Sequence, residues 1–190
     1  EVERSKHSEK MKLKDEICFD LMTFIRKTPN EVVIPNFYFG FYEMDVFRLT
    51  PSGFVTEYEI KTSRADLKND FKKSRVVKFS NREGDNTEIF KHEEIEKGSY
   101  KANKFFFVVP DGLVKPEEIP KYCGLIYFKK TKTYKEFKVV QIAKFLHKNK
   151  FEESGFKDLC KSLSWREMSI RLKNVQQKKE IDKLKKLNNY

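Results

Sequence analysis

The longest unbroken run of apolar residues in this 190-residue chain is only five residues, from Phe105 to Val109. A helix needs about twenty consecutive apolar residues to cross a bilayer, so the sequence predicts no membrane-spanning segment. Elsewhere apolar and charged residues are closely mixed: 36% of the residues are charged and 14% are aromatic, including 18 Phe. This aromatic content excludes a disordered chain, and the length suits one domain with its own core.

The charge balance favours a polyanionic partner. Lys and Arg number 40 against 29 Asp and Glu, which gives a net charge of +11, and basic surface attracts nucleic acid. Three widely spaced cysteines form neither a disulfide framework nor a zinc ribbon, which favours a reducing compartment. Residues 1–14 are mostly charged, so we expect no signal peptide and a cytoplasmic location.

Hydrophobic periodicity predicts the elements of the first half. Apolar residues from Leu13 to Ile25 recur at helical spacing, and Thr28-Pro29-Asn30 ends this helix. Residues 37–50 and 54–61 have strand patterns separated by Pro51-Ser52-Gly53, which predicts an antiparallel hairpin. A helix is expected over residues 62–79, with Ser63 as its N-cap and Val76 on its buried side.

The second half is predicted to complete a sheet. Residues 81–103 lack clear periodicity and are expected to form a long loop, with a short helix near 88–95. Strands are expected at 105–109, 124–128 and 134–140, followed by a helix from Ser154 to about Leu187. This order predicts an α/β fold with a central mixed sheet flanked by helices. We divide the chain into a core, 1–150, and a basic helical extension, 151–190.

The extension is strongly basic at its end. Residues 161–190 contain nine Lys and Arg and three Asp and Glu, a net charge of 9 − 3 = +6. Two interpretations stay open: a solvated helix packed on the core, or a basic arm that contacts nucleic acid or a partner helix.

The chemistry is concentrated around the predicted hairpin. Side chains alternate along a strand, so Glu57, Glu59 and Lys61 share one face, and Asp45 in the preceding strand can face Glu59. Two carboxylates form a hard oxygen site suited to Mg²⁺ or Mn²⁺. Lys61 would orient a water or neutralise phosphate charge, which together suits phosphodiester hydrolysis. The alternative is ordinary charge patterning on a half-exposed strand.

Asp45 followed by Glu59-Ile60-Lys61 resembles the PD-(D/E)xK nuclease superfamily. The run from Glu59 to Leu67, with Asp70 and Lys72 after it, is more specifically similar to the MmcB-type DNA-repair family. The segment Phe105–Leu113, followed by Ile119-Pro120 and Gly124-Leu125-Ile126, resembles that family's second block. The likeness spans roughly residues 45–128. Met44 stands where the superfamily motif has proline.

The resemblance implies a restriction-endonuclease-like core and a metal-dependent nuclease, acting on DNA with Mg²⁺ or Mn²⁺. Asp45, Glu59 and Lys61 would be catalytic. The metal ligands would be Asp45, Glu59 and the backbone carbonyl of Ile60, and an acidic residue of the first helix often joins such sites. Glu16 or Asp20 would fill that role, and we prefer Glu16. Related nucleases often dimerise, which leaves a homodimer open.

Basic residues after the catalytic strand are candidates for phosphate contacts: Arg64, Lys68, Lys72 and Lys73. Lys91 and His92 lie in the predicted loop, from which they can approach the site. The aromatic residues between Phe37 and Tyr42 are either core or stacking faces for unpaired bases.

Three functions follow as alternatives. The first is a DNA nuclease of repair, recombination or mobile-element biology, with RNA kept as an alternative substrate. The second is an inactive nuclease-fold protein that binds nucleic acid without cutting it. The third is a scaffold that recruits partners through its basic tail. Asp45, Glu59 and Lys61 together favour the first.

Overall fold

The computed structural model describes residues 2–78, 86–131 and 134–188. The chain divides into two compact units, residues 1–150 and 151–190. The elements follow in chain order: α1 Val2–Ile25, β1 Val32–Phe39, β2 Tyr42–Leu49, β3 Val55–Ile60, α2 Arg64–Asp70, β4 Ser74–Lys78, β5 Asn86–Phe90, α3 Lys91–Lys97, β6 Lys104–Pro110, a 3₁₀ helix Pro116–Glu118, β7 Gly124–Lys130, β8 Lys135–Gln141 and α4 Glu153–Asn188.

Six strands form one mixed sheet in the order β1-β2-β3-β6-β7-β8. The neighbours β1, β2 and β3 are antiparallel, β3, β6 and β7 run parallel, and β8 is antiparallel to β7. Strands β4 and β5 form a separate antiparallel pair. The predicted α/β class, with a central mixed sheet, flanking helices and a basic C-terminal helix, is confirmed, and it is compatible with a restriction-endonuclease-like core.

Helix α1 packs on one face of this sheet. Ile17, Leu21 and Ile25 recur at helical spacing and are at most 3% exposed. They belong to one apolar cluster with strand residues that share this face: Val33, Val46, Tyr58, Ile60, Val108, Ile126 and Phe128. Burying these side chains is the main favourable term that holds α1 to the sheet.

The opposite face is covered by α2, α3 and the segments beside them. The ring centroid of Phe107 in β6 lies 5.7 Å from the centroid of Phe71 and 5.8 Å from the centroid of His92. Phe105 lies 5.4 Å from the same histidine and 4.9 Å from Phe107. The three-Phe run of β6 therefore serves both faces of the sheet, because Phe106 points the other way and stacks on Tyr58 at 5.4 Å.

Two expectations about the connecting segment are wrong. The helix predicted over residues 62–79 ends at Asp70, and Ser74–Lys78 is a strand in which Val76 is 62% exposed. Val76 and Val77 are β-branched and pair across the ladder with β5. In the described part of the expected loop, residues 86–103, the strand β5 replaces irregular chain, whereas the short helix expected near 88–95 is present as α3. Residues 79–85 lie outside the described residues.

Helix α4 forms most of the second unit. It runs for 36 residues, as the sequence predicts. Within the unit the rings of Phe151 and Phe156 meet edge to face at 4.8 Å. Apolar side chains such as Trp165 and Leu172 are more than half exposed. Within the described parts of the chain, none of the helices has a stretch long and apolar enough to span a bilayer.

The packing of α1 gives a first prediction. Leu21→Ala should destabilise the protein by about 2–5 kcal/mol, because it leaves a cavity at a fully buried position. Phe19→Ala on the same helix is the matched control, since Phe19 is 74% exposed and should change stability by at most about 0.5 kcal/mol. Urea unfolding of both variants measures this, and equal losses would contradict the assigned face of α1.

Candidate functional site

The three predicted catalytic residues border one open cleft. The register of β2 and β3 pairs Val46 with Tyr58, which places Asp45 opposite Glu59. The cleft has a volume of about 410 Å³ and contains Lys61 at the end of β3. Its remaining lining combines charge and aromatic rings: Lys14, Tyr38, Phe41, Tyr42, Glu43, Asp66 and Lys73.

Asp45 is held by one ion pair and one backbone hydrogen bond. Its Oδ1 lies 2.8 Å from Nζ of Lys14, and its Oδ2 accepts a 2.8 Å hydrogen bond from the Ile60 amide. Burial and the nearby charge of Glu59 raise the pKa of Asp45, despite the Lys14 ammonium. Burial is the larger cause of this rise, and repulsion from the Glu59 carboxylate adds to it.

Glu59 is surrounded by ammonium groups. Its carboxylate lies 2.9 Å from Lys61, 3.0 Å from Lys73 and 2.7 Å from Lys91, and the residue is 1% exposed. Burial alone would raise the pKa of Glu59, but the charges of Lys91, Lys61 and Lys73 lower it to about 2. Glu59 is therefore an ionised carboxylate in an almost dry position.

Lys61 is fixed between two carboxylates. Its Nζ lies 2.9 Å from Glu59 and 2.7 Å from Oδ1 of Asp70, contacts that raise its pKa above the usual range despite burial. A lysine held in this way stays protonated and acts as a hydrogen-bond donor, since it has no free electron pair to act as a base. Lys61 thus suits the stabilisation of negative charge.

Asp70 connects Lys61 to a further pair of side chains. His92 Nε2 lies 2.8 Å from Oδ2 of Asp70, and Tyr122 Oη lies 3.1 Å from Nδ1 of the same ring. Burial opposes ionisation of Asp70, but the His92 hydrogen bond and neighbouring lysines hold its pKa well below the usual range. Because ionised Asp70 only accepts, Nε2 is the protonated ring nitrogen.

Lys91 completes the arrangement from α3. It is 0% exposed and lies 2.6 Å from Glu57 and 2.7 Å from Glu59. Tyr100 donates a 2.6 Å hydrogen bond to Glu57, whose pKa burial raises to about 7. We call this assembly the buried charge cluster: Glu57, Glu59, Lys61, Asp70, Lys73, Lys91 and His92.

The sequence predicted only part of this cluster. Strand alternation identified Glu57, Glu59 and Lys61 on one face. Lys91 approaches the site, as the sequence allowed, although it follows Glu59 by 32 residues and its spacing does not specify the contact. His92 is structural, as a buried bridge between Asp70 and Tyr122. Asp70 and Lys73 are three apart at the end of α2 and form a 2.7 Å ion pair, a local pattern that sequence spacing can suggest.

The preferred acidic residue of the first helix, Glu16, does not line the cleft. Glu16 lies 2.6 Å from Lys130 and 2.9 Å from Lys135, and Asp20 lies 2.8 Å from Lys135, so both acids pair with the far edge of the sheet. Lys14 reaches Asp45 instead. Residues two positions apart in an α-helix are rotated by about 200° around its axis, so Lys14 and Glu16 point to different sides of α1.

The donor chemistry of the cleft fits a divalent cation held by two carboxylates. Asp45 and Glu59 offer hard oxygen ligands, and a cation between them would offset both the burial of Asp45 and its repulsion from Glu59, which together raise the pKa of Asp45. Lys14, whose side chain is 40% exposed, would have to leave Asp45 Oδ1. Among the described residues, no group of three or more His, Cys, Asp or Glu side chains is arranged around a metal position.

The predicted phosphate-binding residues have different environments. Arg64 makes a two-pronged contact with Glu118 at 2.5 and 3.2 Å, and Lys73 belongs to the buried charge cluster with its side chain 36% exposed. Lys68 and Lys72 are exposed. Of the aromatic residues, Phe37 and Tyr42 are buried, whereas Tyr38 and Phe41 are 64% and 67% exposed at the cleft.

Comparisons with known proteins add little. No protein-family model matches the chain, and no curated protein matches it. One solved structure is similar, the SPO1766 protein of unknown function from Silicibacter pomeroyi, with 20% identity over 75% of this chain and 80% of that chain and a TM-score of 0.46. A similarity of this size says nothing about activity, so the resemblance to nucleases stays a prediction.

The raised pKa of Glu57 gives a second prediction, in pH dependence. Its partners Lys91, Tyr100 and Glu59 share its buried surroundings. The pKa of Glu57 is about 7 in the folded protein against 4.5 in the unfolded chain, so protonated Glu57 stabilises the folded state. This stabilisation is complete below pH 4.5 and is lost as pH rises through 7. Wild type should therefore lose up to about 3 kcal/mol relative to Glu57→Gln over this interval.

Urea unfolding at several pH values from about 4.5 to about 8 measures the difference. Glu93→Gln is the matched control on α3, because Glu93 is exposed and pairs only at the surface with Lys97. Its stability should parallel that of wild type. Parallel curves for wild type and Glu57→Gln would contradict the burial effect on Glu57.

Proposed function

We propose that this protein is a metal-dependent nuclease that hydrolyses phosphodiester bonds of DNA. The observation that supports the proposal is that Asp45, Glu59 and Lys61, drawn from two strands, border a single open cleft. Two facing carboxylates beside a protonated lysine suit metal-dependent phosphodiester hydrolysis. The resemblance to the PD-(D/E)xK superfamily supports the same conclusion.

Each residue has a distinct task in the proposed reaction. Asp45 and Glu59, with the carbonyl of Ile60, would hold Mg²⁺ or Mn²⁺, which when bound polarises the phosphoryl group and acidifies a water. Lys61 would donate a hydrogen bond to the charge that develops on the phosphate oxygens. Asp70 and Glu59 position the Lys61 ammonium, and His92 positions Asp70.

The proposed partner is DNA, with RNA as the alternative polynucleotide. The net charge of +11 supports a polyanionic substrate, and the exposed basic surface of α4 adds to it. We propose a cytoplasmic protein of DNA repair, recombination or mobile-element processing. A homodimer, which would cut two strands, belongs to the same proposal.

The central test is the isosteric variant Asp45→Asn. We expect its cleavage rate in Mg²⁺ or Mn²⁺ to fall by on the order of 100-fold or more, because the charge stabilisation that the cation supplies is worth several kcal/mol. An amide oxygen can still accept the Ile60 hydrogen bond, so the fold should persist. Gel assays on single-stranded, duplex and branched DNA measure cleavage, and calorimetry measures Mn²⁺ binding.

The matched control is Asp15→Asn, which removes an exposed carboxylate of α1. It should cleave and bind Mn²⁺ like wild type. Wild-type cleavage by Asp45→Asn would show that the assigned site is wrong.

A second candidate function is a nucleic-acid-binding module that does not cut. The specific observation in its favour is the 2.8 Å ion pair of Lys14 with Asp45, which supplies one positive charge at the position where a metal ion would bind. The ammonium groups around Glu59 also favour a module that does not cut, because they neutralise that carboxylate without a metal.

Lys14→Met separates the two functions. If the cleft binds metal, removing the competing ammonium should tighten Mn²⁺ binding about threefold or more, which calorimetry measures. Lys68→Met removes an exposed lysine of α2 and should leave the affinity unchanged. An unchanged affinity in Lys14→Met, with neither protein cleaving DNA, would favour the binding module.

A further inference from the structure

Two aromatic rings stand in solvent at the mouth of the cleft. Tyr38 is 64% exposed and Phe41 is 67% exposed, and both border the same cleft as Asp45, Glu59 and Lys61. The core does not need these two rings, because Phe37, Phe39 and Phe47 already pack against one another with centroids 4.8 to 6.3 Å apart. Large exposed aromatic residues beside a polar cleft indicate a binding role.

The backbone holds Phe41 at this position. Phe39 and Tyr42 are register partners, so Gly40 and Phe41 form a two-residue turn. Gly40 has φ +84°, a value that glycine adopts without steric cost and that such turns require at their first central position. Phe41 is thereby fixed at the tip of the β1–β2 hairpin, where it is 67% exposed.

A second contact orients the ring. The guanidinium of Arg75 lies 4.0 Å from the Phe41 ring centroid, and Arg75 is itself held by Glu94 at 2.7 and 3.3 Å. One side of the ring is therefore supported by an ion pair while most of its surface stays exposed. A ring fixed before binding loses little conformational entropy when a flat ligand stacks on it.

The cleft identifies the chemistry of that ligand. Its lining holds three lysines and four acidic residues. Lys14 pairs with Asp45, and Lys73 pairs with Glu59 and Asp70, but their side chains stay 40% and 36% exposed, so they can also meet phosphate groups. Exposed rings beside exposed cations form the pattern that binds single strands, in which bases stack on rings and cations follow the backbone. In a duplex the base faces are covered by their neighbours, so a ring can contact them only after unstacking.

We propose that Tyr38 and Phe41 form a base-stacking platform, and that the cleft therefore binds unpaired nucleotides in preference to duplex. The inference rests on the proposed function, in that a polynucleotide occupies this cleft. It adds the substrate class, which is a single strand or an unpaired overhang. Stacking is sequence-tolerant, because every base presents a flat face.

The experiment measures binding without metal, so that it does not depend on cleavage. Fluorescence anisotropy in EDTA, at about 150 mM salt, compares a labelled oligothymidylate of about twelve nucleotides with a hairpin duplex of similar charge. The readout is the ratio of the two affinities, because the positive charge of the chain attracts either form. The proteins are wild type, the double variant Tyr38→Ala/Phe41→Ala, and the control Phe19→Ala.

We expect wild type to prefer the single strand. The double variant should lose at least about tenfold of its affinity for oligothymidylate, while its affinity for the duplex stays within about twofold. Phe19→Ala also removes an exposed ring, but one that does not border the cleft, and should bind like wild type. Should the alanine pair not fold, Tyr38→Leu/Phe41→Leu retains apolar bulk without a π-face and should show the same loss.

Cleavage by the same samples in Mn²⁺ separates the possible failures. If wild type cuts DNA but the double variant keeps its single-strand affinity, or loses both affinities equally, the platform is overturned and the nuclease stands. If the single-strand preference depends on the rings and nothing is cut, the platform stands and the nuclease fails. If wild type binds neither oligonucleotide in EDTA, the platform is overturned; the nuclease stands if the same sample cuts DNA in Mn²⁺ and fails if it does not.

Discussion

Glu59 keeps its negative charge in an almost dry position because three ammonium groups lie 2.7 to 3.0 Å from its carboxylate. Taking any one of these charges out of water alone would cost several kcal/mol, so each depends on its partners. Lys61 comes from the end of β3, Lys73 follows α2 and Lys91 begins α3. The same contacts that keep Glu59 ionised therefore tie α2 and α3 to the central sheet.

This dependence sets the electrostatics of the cleft. The buried charge cluster balances its carboxylates with its own lysines, so Glu59 does not require an added cation for stability. Asp45 differs, because its one ammonium partner is the partly exposed Lys14 and its pKa is raised by burial and by Glu59. The positive charge that another cation could replace is thus the Lys14 ammonium beside Asp45. In the proposed nuclease, metal affinity would depend on how easily Lys14 is displaced, whereas the integrity of the fold depends on the cluster.

Local patterns predicted the part of the site that lies on neighbouring strands. Alternation along β3 and the short hairpin to β2 place Asp45, Glu59 and Lys61 together, because both are set by residues close in sequence. Lys91 and His92 reach the cluster through the tertiary position of α3, which no local pattern encodes. The apolar stripe of α1 predicted which face of the helix is buried. Lys14 and Glu16 both border that stripe, so the stripe alone does not predict which of them reaches Asp45; the packed helix shows that Lys14 does.

The β1–β2 hairpin shows a further limit of simple alternation. Ile34 is the register partner of Phe47, and the Phe37 ring lies 4.8 Å from Phe47, so residues three apart in β1 share one face. Strict alternation would put them on opposite faces. The change occurs at Asn36, which has φ +48° and stands opposite Asp45 in the register. Asparagine tolerates this conformation better than other non-glycine residues do.

The irregularity has a direct consequence for the cleft. It turns Phe37 into the core and its neighbour Tyr38, with the register partner Glu43, toward the cleft. Asn36 and Gly40 are both left-handed positions within five residues of chain, and each places one ring of the proposed platform. The left-handed conformation of Asn36, unlike that of Gly40, costs free energy and persists where surrounding structure holds it, which is characteristic of functional sites. The strained backbone, the exposed rings and the raised pKa of Asp45 therefore converge on the same edge of the sheet.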